Sequence, residues 1–183
     1  EDRYFTSTES IQPIELSMNG REYKLGIQIC EDLWDEAYDL KVSRELCIQG
    51  AELIINISAS PFHINRLYER IELIKDKSVH LMCYFIYCNL VGAQDELVFD
   101  GQSCIVSPAG AVVALYPPFK ENIQVVDMDE GKVVHVPVIP EEEQIYQALS
   151  LGVKDYFKKT GHAKAVIGLS GGIDSALTAA IAA

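Results

Sequence analysis

The sequence predicts an α/β fold, and three observations carry the prediction. Apolar, β-branched runs of strand length occur at 22–29, 52–58 and 83–92. Apolar positions at helical spacing fill the segments between them, over 35–49 and 64–81. Strand–turn–helix patterns occur twice, at "LGIQICEDLW" (25–34) and at "VIGLSGGIDSA" (166–176). Strands alternating with helices build a layered α/β sheet.

"EYKLGIQI" at 22–29 alternates and then turns fully apolar, as a strand does on entering a core. Ala37, Leu40, Val42 and Leu46 predict a helix over 35–49, stopped at Gly50. "ELIINIS" at 52–58 is the next strand. Ile64, Leu67, Ile71 and Ile74 lie on one face of a helix over 64–81, and "CYFIYCNLVG" comes next as a buried strand. "SCIVSPAGAVVALY" predicts a hairpin turning at Pro108–Gly110, and 122–129 and 132–138 predict strands around Glu130–Gly131. A helix starts near Glu141, with acidic residues in its first turn and Lys158–Lys159 in its last, where each charge complements the helix dipole. "AKAVIGL" at 163–169 predicts a further buried strand and Ile173 the start of a further helix. A domain junction is expected near Pro137–Pro140.

The bulk numbers narrow the function classes. The 183 residues are 49% apolar and 23% charged, the mix of a soluble globular protein. The formal charge of −12 disfavours a phosphate backbone as partner. The sequence holds no apolar run long enough to predict a membrane span, and the polar "EDRYFTSTES" does not resemble a signal peptide. Five cysteines without zinc spacing predict free thiols in a reducing cytoplasm, four of them buried. The chain opens without methionine and stops inside the helical pattern "SALTAAIAA", so it is expected to be an internal piece of a longer protein.

Cys30 has two readings. It is a buried strand-end thiol, or a nucleophile presented on a sharp strand-to-helix elbow. In the second case a nearby helix N-terminus favours the thiolate, and the Glu31 amide meets the developing oxyanion. "SGGIDS" also has two readings: a plain tight turn, or a loop that cradles phosphates. Two glycines admit an anion to the backbone, the helix after them adds its dipole, Ser170 and Ser175 add hydroxyls, and Asp174 can hold magnesium. It lacks the Gly-Lys-Ser/Thr of a Walker loop.

"SGGIDS" resembles the pyrophosphatase loop of ATP-dependent adenylating synthetases. "GIQICEDLW" resembles the nucleophile segment of the nitrilase/amidase superfamily. "NISASPFHINR" (56–66) and "YCNLVGAQDELVFDGQS" (87–103) narrow the resemblance to glutamine-dependent NAD synthetases, in which a glutaminase precedes a synthetase on one chain. The resemblance implies the C-terminal part of a four-layer α-β-β-α nitrilase-like sandwich, then the first strand, loop and helix of a Rossmann-like ATP-pyrophosphatase domain. It implies a glutaminase part over 1–138, a linker helix over 139–162 and the start of the ATP-binding domain over 163–183.

By the same resemblance Cys30 is the catalytic nucleophile and Ser60 and Arg66 bind glutamine; Ser60 also reads as a strand-end cap and Arg66 as a solvated helix charge. Gly168, Leu169, Ser170, Gly171, Gly172, Ile173, Asp174 and Ser175 bind ATP, with Asp174 on magnesium. Asp95, Glu96 and Asp100 read as loop and structural residues. The glutamate and lysine of the family's catalytic triad are expected upstream of "EDRYF", so the chain alone is expected to be inactive. The implied substrates are glutamine, ATP and deamido-NAD, with no prosthetic group, in a cytoplasmic homo-oligomer. A stand-alone amidase and a non-catalytic scaffold are the rival readings.

Overall fold

A computed structural model describes Tyr4, Thr6, Thr8 and residues 10–183; "EDRYF", apart from Tyr4, lies outside the described residues. The strands are β1 (Ile14–Met18), β2 (Arg21–Ile29), β3 (Leu53–Ser58), β4 (Tyr84–Asn89), β5 (Val91–Gln94), β6 (Leu97–Asp100), β7 (Cys104–Val106) and β8 (Val112–Leu115). The helices are α1 (Val42–Ile48), α2 (Arg66–Leu81), α3 (Glu141–Thr160) and α4 (Ile173–Ala182).

One six-stranded sheet organises the chain, in the order β1-β2-β3-β4-β7-β8. Its centre, β2-β3-β4, is parallel, and its flanks are antiparallel. Parallel neighbours need a crossover, which α1 and α2 supply. Alternate residues divide the two faces. Ile54, Phe85, Val106 and Val112 turn to the helices and meet Leu46, Leu67, Ile71 and Ile74 in the main core. Gly26 allows α1 to sit close: a Cβ there would lie 2.4 Å from Ile54 Cδ1 and 3.1 Å from Leu46 Cδ1.

The opposite face is open. Ile29 and Ile57 are 67% and 54% exposed there, whereas near β7 and β8 the face is covered by Val126 and Met128 packing on Ile105, Val113 and Ala114. An apolar sheet face of this kind is what a second layer covers in a sandwich.

Several segments differ from the sequence expectation. The helix expected over 35–49 is one 3₁₀ turn, Asp35–Ala37, and then the two-turn α1; a further 3₁₀ turn, Cys30–Leu33, precedes it. The buried strand expected over 83–92 breaks at Leu90, and the chain turns into a hairpin of β5 and β6. β1 was not signalled: all five of its residues are exposed and its pattern is weak. The strands expected at 122–129 and 132–138 are irregular, apart from a 3₁₀ turn at Met128–Glu130. Ile123 and Val125 are fully exposed, while the Val134 N–H reaches the sheet, donating to Val112 O at 2.7 Å. Residues 163–169 form no β ladder, and Val166 stands fully exposed. Over 122–138 and 163–169 a β-forming composition finds, among the described residues, no neighbouring strand to build a ladder with, and a strand is defined by that pairing. The 103–116 hairpin and the starts of α3 and α4 agree with expectation.

Candidate functional site

Cys30 sits where β2 ends. Its φ is +45°, a left-handed conformation that costs a non-glycine residue energy and that clusters at functional turns. The turn is held from several sides. The Ile29 N–H donates to Asp32 Oδ2 at 2.7 Å, and the Trp34 N–H to Glu31 O at 2.8 Å. Leu33 is fully buried as an anchor, and Asn56 Nδ2 on the adjacent β3 donates to Cys30 O at 3.4 Å. Cys30 itself is half-buried. The elbow is present, but it leads into a single 3₁₀ turn; helix dipole therefore contributes little to the thiol, and the strained backbone does the presenting. Glu31, exposed, accepts from the Tyr38 hydroxyl at 3.2 Å.

Ser60 and Arg66 come together. Arg66, the first residue of α2, donates from Nε and Nη2 to Ser60 Oγ at 3.4 and 3.3 Å, and from Nη1 to Glu69 Oε2 at 3.2 Å. Its guanidinium lies 3.9 Å from the centroid of the Trp34 ring, a close cation–π stack. The Arg66 side chain is 19% exposed, so it is not a solvated helix charge. Ser60 is buried and is held from behind: its N–H donates to Asn89 Oδ1 at 2.9 Å. Asn89 Nδ2 in turn donates to Asp100 Oδ1 and Gly101 O, both at 3.1 Å. Thus β2, α2, the 58–66 loop and the end of β4 converge on one guanidinium beside the Cys30 turn.

Two residues that sequence reasoning passed over belong to this arrangement. Trp34 lies just past the elbow, and being the only tryptophan was its signal. Asn89 ends a buried strand, and nothing local distinguished it. Asp100 is structural, as expected. Its carboxylate meets Arg70 at 3.1 and 3.3 Å, with both side chains buried, and Arg70 also donates to Gly101 O at 3.3 Å and faces the Tyr87 ring. Asp95 and Glu96 occupy the exposed β5–β6 turn, with Asp95 at φ +51°.

The other cysteines are also free. Cys47 and Cys83 lie Sγ to Sγ at 2.8 Å, and the Cys104 thiol is pushed up to about 12 by burial. Cys88, expected to be buried, is exposed on the open sheet face. A cavity of about 710 Å³ lies on that face, lined by Ile86, Cys88, Asn89 and Tyr116, and Cys30, Ser60 and Arg66 do not line it.

At 170–175 the chain folds as a compact loop on the start of α4. The Ser170 N–H donates to Ser175 Oγ at 3.3 Å, the Gly172 N–H to Ser170 Oγ at 3.4 Å, and Ser175 Oγ to Gly172 O at 2.9 Å. Gly171 has φ +85°, which glycine adopts without strain. Gly168, Leu169, Ile173 and Asp174 are exposed around it. The described residues hold no cluster of three metal-ligating side chains. A single accessible carboxylate, Asp174, suits magnesium, which takes one or two protein carboxylates and completes its shell with phosphate oxygens and water.

Comparison with known proteins identifies the family. The family description of carbon–nitrogen hydrolases matches residues 1–137, and that of NAD synthases matches residues 145–183. A glutamine-dependent NAD(+) synthetase of Aquifex aeolicus is 36% identical over all of this chain and 37% of its own length. One from Synechocystis is 40% identical over all of this chain and 34% of its own. The structure of glutamine-dependent NAD+ synthetase from Acinetobacter baumannii with ADP superposes with a TM-score of 0.84 at 32% identity, over 99% of this chain and 34% of that one. An amidase of a Nesterenkonia species, which takes a covalent acetamide adduct at its active site cysteine, superposes with a TM-score of 0.52 at 26% identity, over 64% of this chain and 42% of that one. The chain spans about a third of the length of the synthetases it matches. It has the α/β fold shared by nitrilase-superfamily amidases and NAD synthetases, and it belongs to the carbon–nitrogen hydrolase family, in a form that runs on into the beginning of an NAD synthase.

Proposed function

We propose that the full-length protein is a glutamine-dependent NAD synthetase. In this reading residues 1–138 belong to the glutaminase, 139–162 form the linker helix and 163–183 open the synthetase. The observation that carries it is the convergence of Arg66, Ser60 and Trp34 beside a left-handed cysteine elbow. Arg66 presents paired donors that fit an α-carboxylate, and Ser60 and Trp34 hold its plane. Glutamine enters with its side-chain amide toward Cys30. The sulfur attacks the amide carbon, the C–N bond breaks as the nitrogen takes up a proton, and ammonia leaves. Water then cleaves the thioester and glutamate leaves. The Glu31 amide, at the start of the 3₁₀ turn, has no partner within that turn and is the oxyanion donor.

Residues 168–175 take ATP through backbone amides and the Ser170 and Ser175 hydroxyls. Asp174 would hold magnesium, which would neutralise phosphate charge. The deamido-NAD carboxylate displaces pyrophosphate from ATP to form an adenylate, and ammonia then displaces AMP to give NAD. The NAD synthase match at 145–183 favours this over a stand-alone amidase. A cytoplasmic homo-oligomer without nucleic-acid or membrane partners completes the reading; among the described residues no helix is long and apolar enough to cross a membrane.

The test is Cys30→Ala in the full-length enzyme. Glutamine-driven NAD synthesis is expected to disappear while ammonia-driven synthesis persists. Near-normal turnover with glutamine would remove Cys30 as nucleophile.

A further inference from the structure

Helix α3 joins the glutaminase part to the phosphate loop in the proposed function, yet its first turn is tied to the residue that precedes Arg66. Asn65 is left-handed, with φ +67° and ψ 8°, and its side chain does not cap its own helix. Its N–H donates to Gln144 Oε1 at 3.1 Å, and its Nδ2 donates to Glu141 Oε1 at 3.2 Å. Gln144 is buried, 8% exposed, and is itself fixed, Nε2 donating to Ile139 O at 2.8 Å. Two residues after Arg66, the Tyr68 hydroxyl donates to Pro137 O at 3.1 Å and accepts from the Ile139 N–H at 3.1 Å. The Asn65 backbone before Arg66 and the Tyr68 side chain after it are therefore both held by residues 137–144.

We propose that Gln144 is a positioning residue for glutamine binding: it holds Asn65 in its left-handed conformation and thereby aims the Arg66 guanidinium. The inference rests on the reading of Arg66 as the α-carboxylate site. The left-handed region costs a non-glycine residue energy, least for asparagine, and the partners of Asn65 offset that cost. Without the Gln144 oxygen, the Asn65 N–H loses its partner in a part-buried place and the residue is free to relax toward right-handed φ. Rotation there moves the first turn of α2, and the long Arg66 side chain carries the displacement to Ser60 and Trp34. The helix leading to the phosphate loop is thereby also a structural part of the glutaminase site.

The experiment uses the full-length enzyme with Gln144→Met, which keeps volume and removes both polar atoms. The KM for glutamine is expected to rise about tenfold, the upper end of the value of one neutral hydrogen bond, with ammonia-driven synthesis unchanged. Gln144→Glu keeps the accepting oxygen and is expected to recover most of the affinity. With 4-aminobutanamide, which has the same amide but no α-carboxylate, Gln144→Met and the parent should show equal KM, a pattern that general loosening would not give. An unchanged glutamine KM, or equal losses with both substrates, overturns the proposal. If Gln144→Met fails to fold, Gln144→Asn, one methylene short of reach, is expected to give the same pattern, and its absence there overturns the proposal too. Arg66→Ala is measured alongside. If it leaves the glutamine KM unchanged, the carboxylate reading of Arg66 falls, and the positioning role with it. If it raises KM and Gln144→Met does not, only the positioning role falls.

Discussion

Asp100→Ala isolates what supports the site from behind. Asp100 and Arg70 are both buried, at 1% and 0% side-chain exposure, and the carboxylate supplies two of the three hydrogen bonds on the guanidinium. Arg70 Nε already has no hydrogen-bond partner among the described residues. Removing the carboxylate strands a buried cation with one carbonyl, Gly101 O, and the face of Tyr87. Breaking a buried pair from one side costs about 3–5 kcal/mol. For a domain of this size each kcal/mol lowers Tm by about 2–4 °C, so the unfolding transition of the domain that holds this pair should fall by about 6–20 °C. Asn89 also loses its Asp100 partner, and it is Asn89 that fixes the Ser60 N–H. The same variant should therefore raise the glutamine KM. The assay is calorimetry of the full-length protein with glutamine kinetics alongside. The double variant Arg70→Met/Asp100→Leu, which leaves no charge behind, should recover most of the Tm. A loss below about 1 kcal/mol for Asp100→Ala, or a double variant no better than the single, would refute the stabilising role of the pair.

Other outcomes are set by the site and the core. Asp174→Ala should impair NAD synthesis with either nitrogen source, because in the proposed function it acts at ATP; unchanged ammonia-driven kinetics would return "SGGIDS" to a plain turn. Cys104, whose folded thiol titrates near 12, should resist alkylation in the native protein at pH 9. The folded value is raised above the unfolded one, so its contribution is full below the ordinary thiol range and is lost as pH rises toward 12. Cys104→Ala should accordingly flatten the fall in stability between about pH 9 and 12; identical slopes for the two proteins would contradict this.

Much of the fold was legible because its signals are local. β2, β3 and β4 are short runs of branched apolar residues, α2 and α3 carry a 3.6-residue apolar period, and Gly172 before Ile173 marks the last helix. Cys30 and the 170–175 loop were legible for a related reason: a strand, a polar turn and a helix are contiguous in the chain. The composition of 122–138 and of 163–169 gave the wrong element because β-branched residues declare a preference and pairing decides it. The resemblance pointed to Ser60 and Arg66, but the surroundings of the Arg66 guanidinium belonged to the tertiary structure. Trp34, Ser60 and Asn89 come from separate elements, and only the β2-β3-β4 order sets the ends of those strands side by side. The left-handed φ of Cys30 and of Asn65 was equally hidden, since neither residue type demands it. Those conformations persist because distant partners hold them: Asn56 on the next strand for the first, and Gln144, 79 residues along the chain, for the second. Sequence alone determined which segments bury an apolar face and where the cysteine elbow and the glycine-serine loop stand, because periodicity and turn chemistry act over a few residues. The tertiary structure decided which side chains share a site and how tightly the backbone beneath them is held, because that depends on contacts between residues the chain keeps far apart.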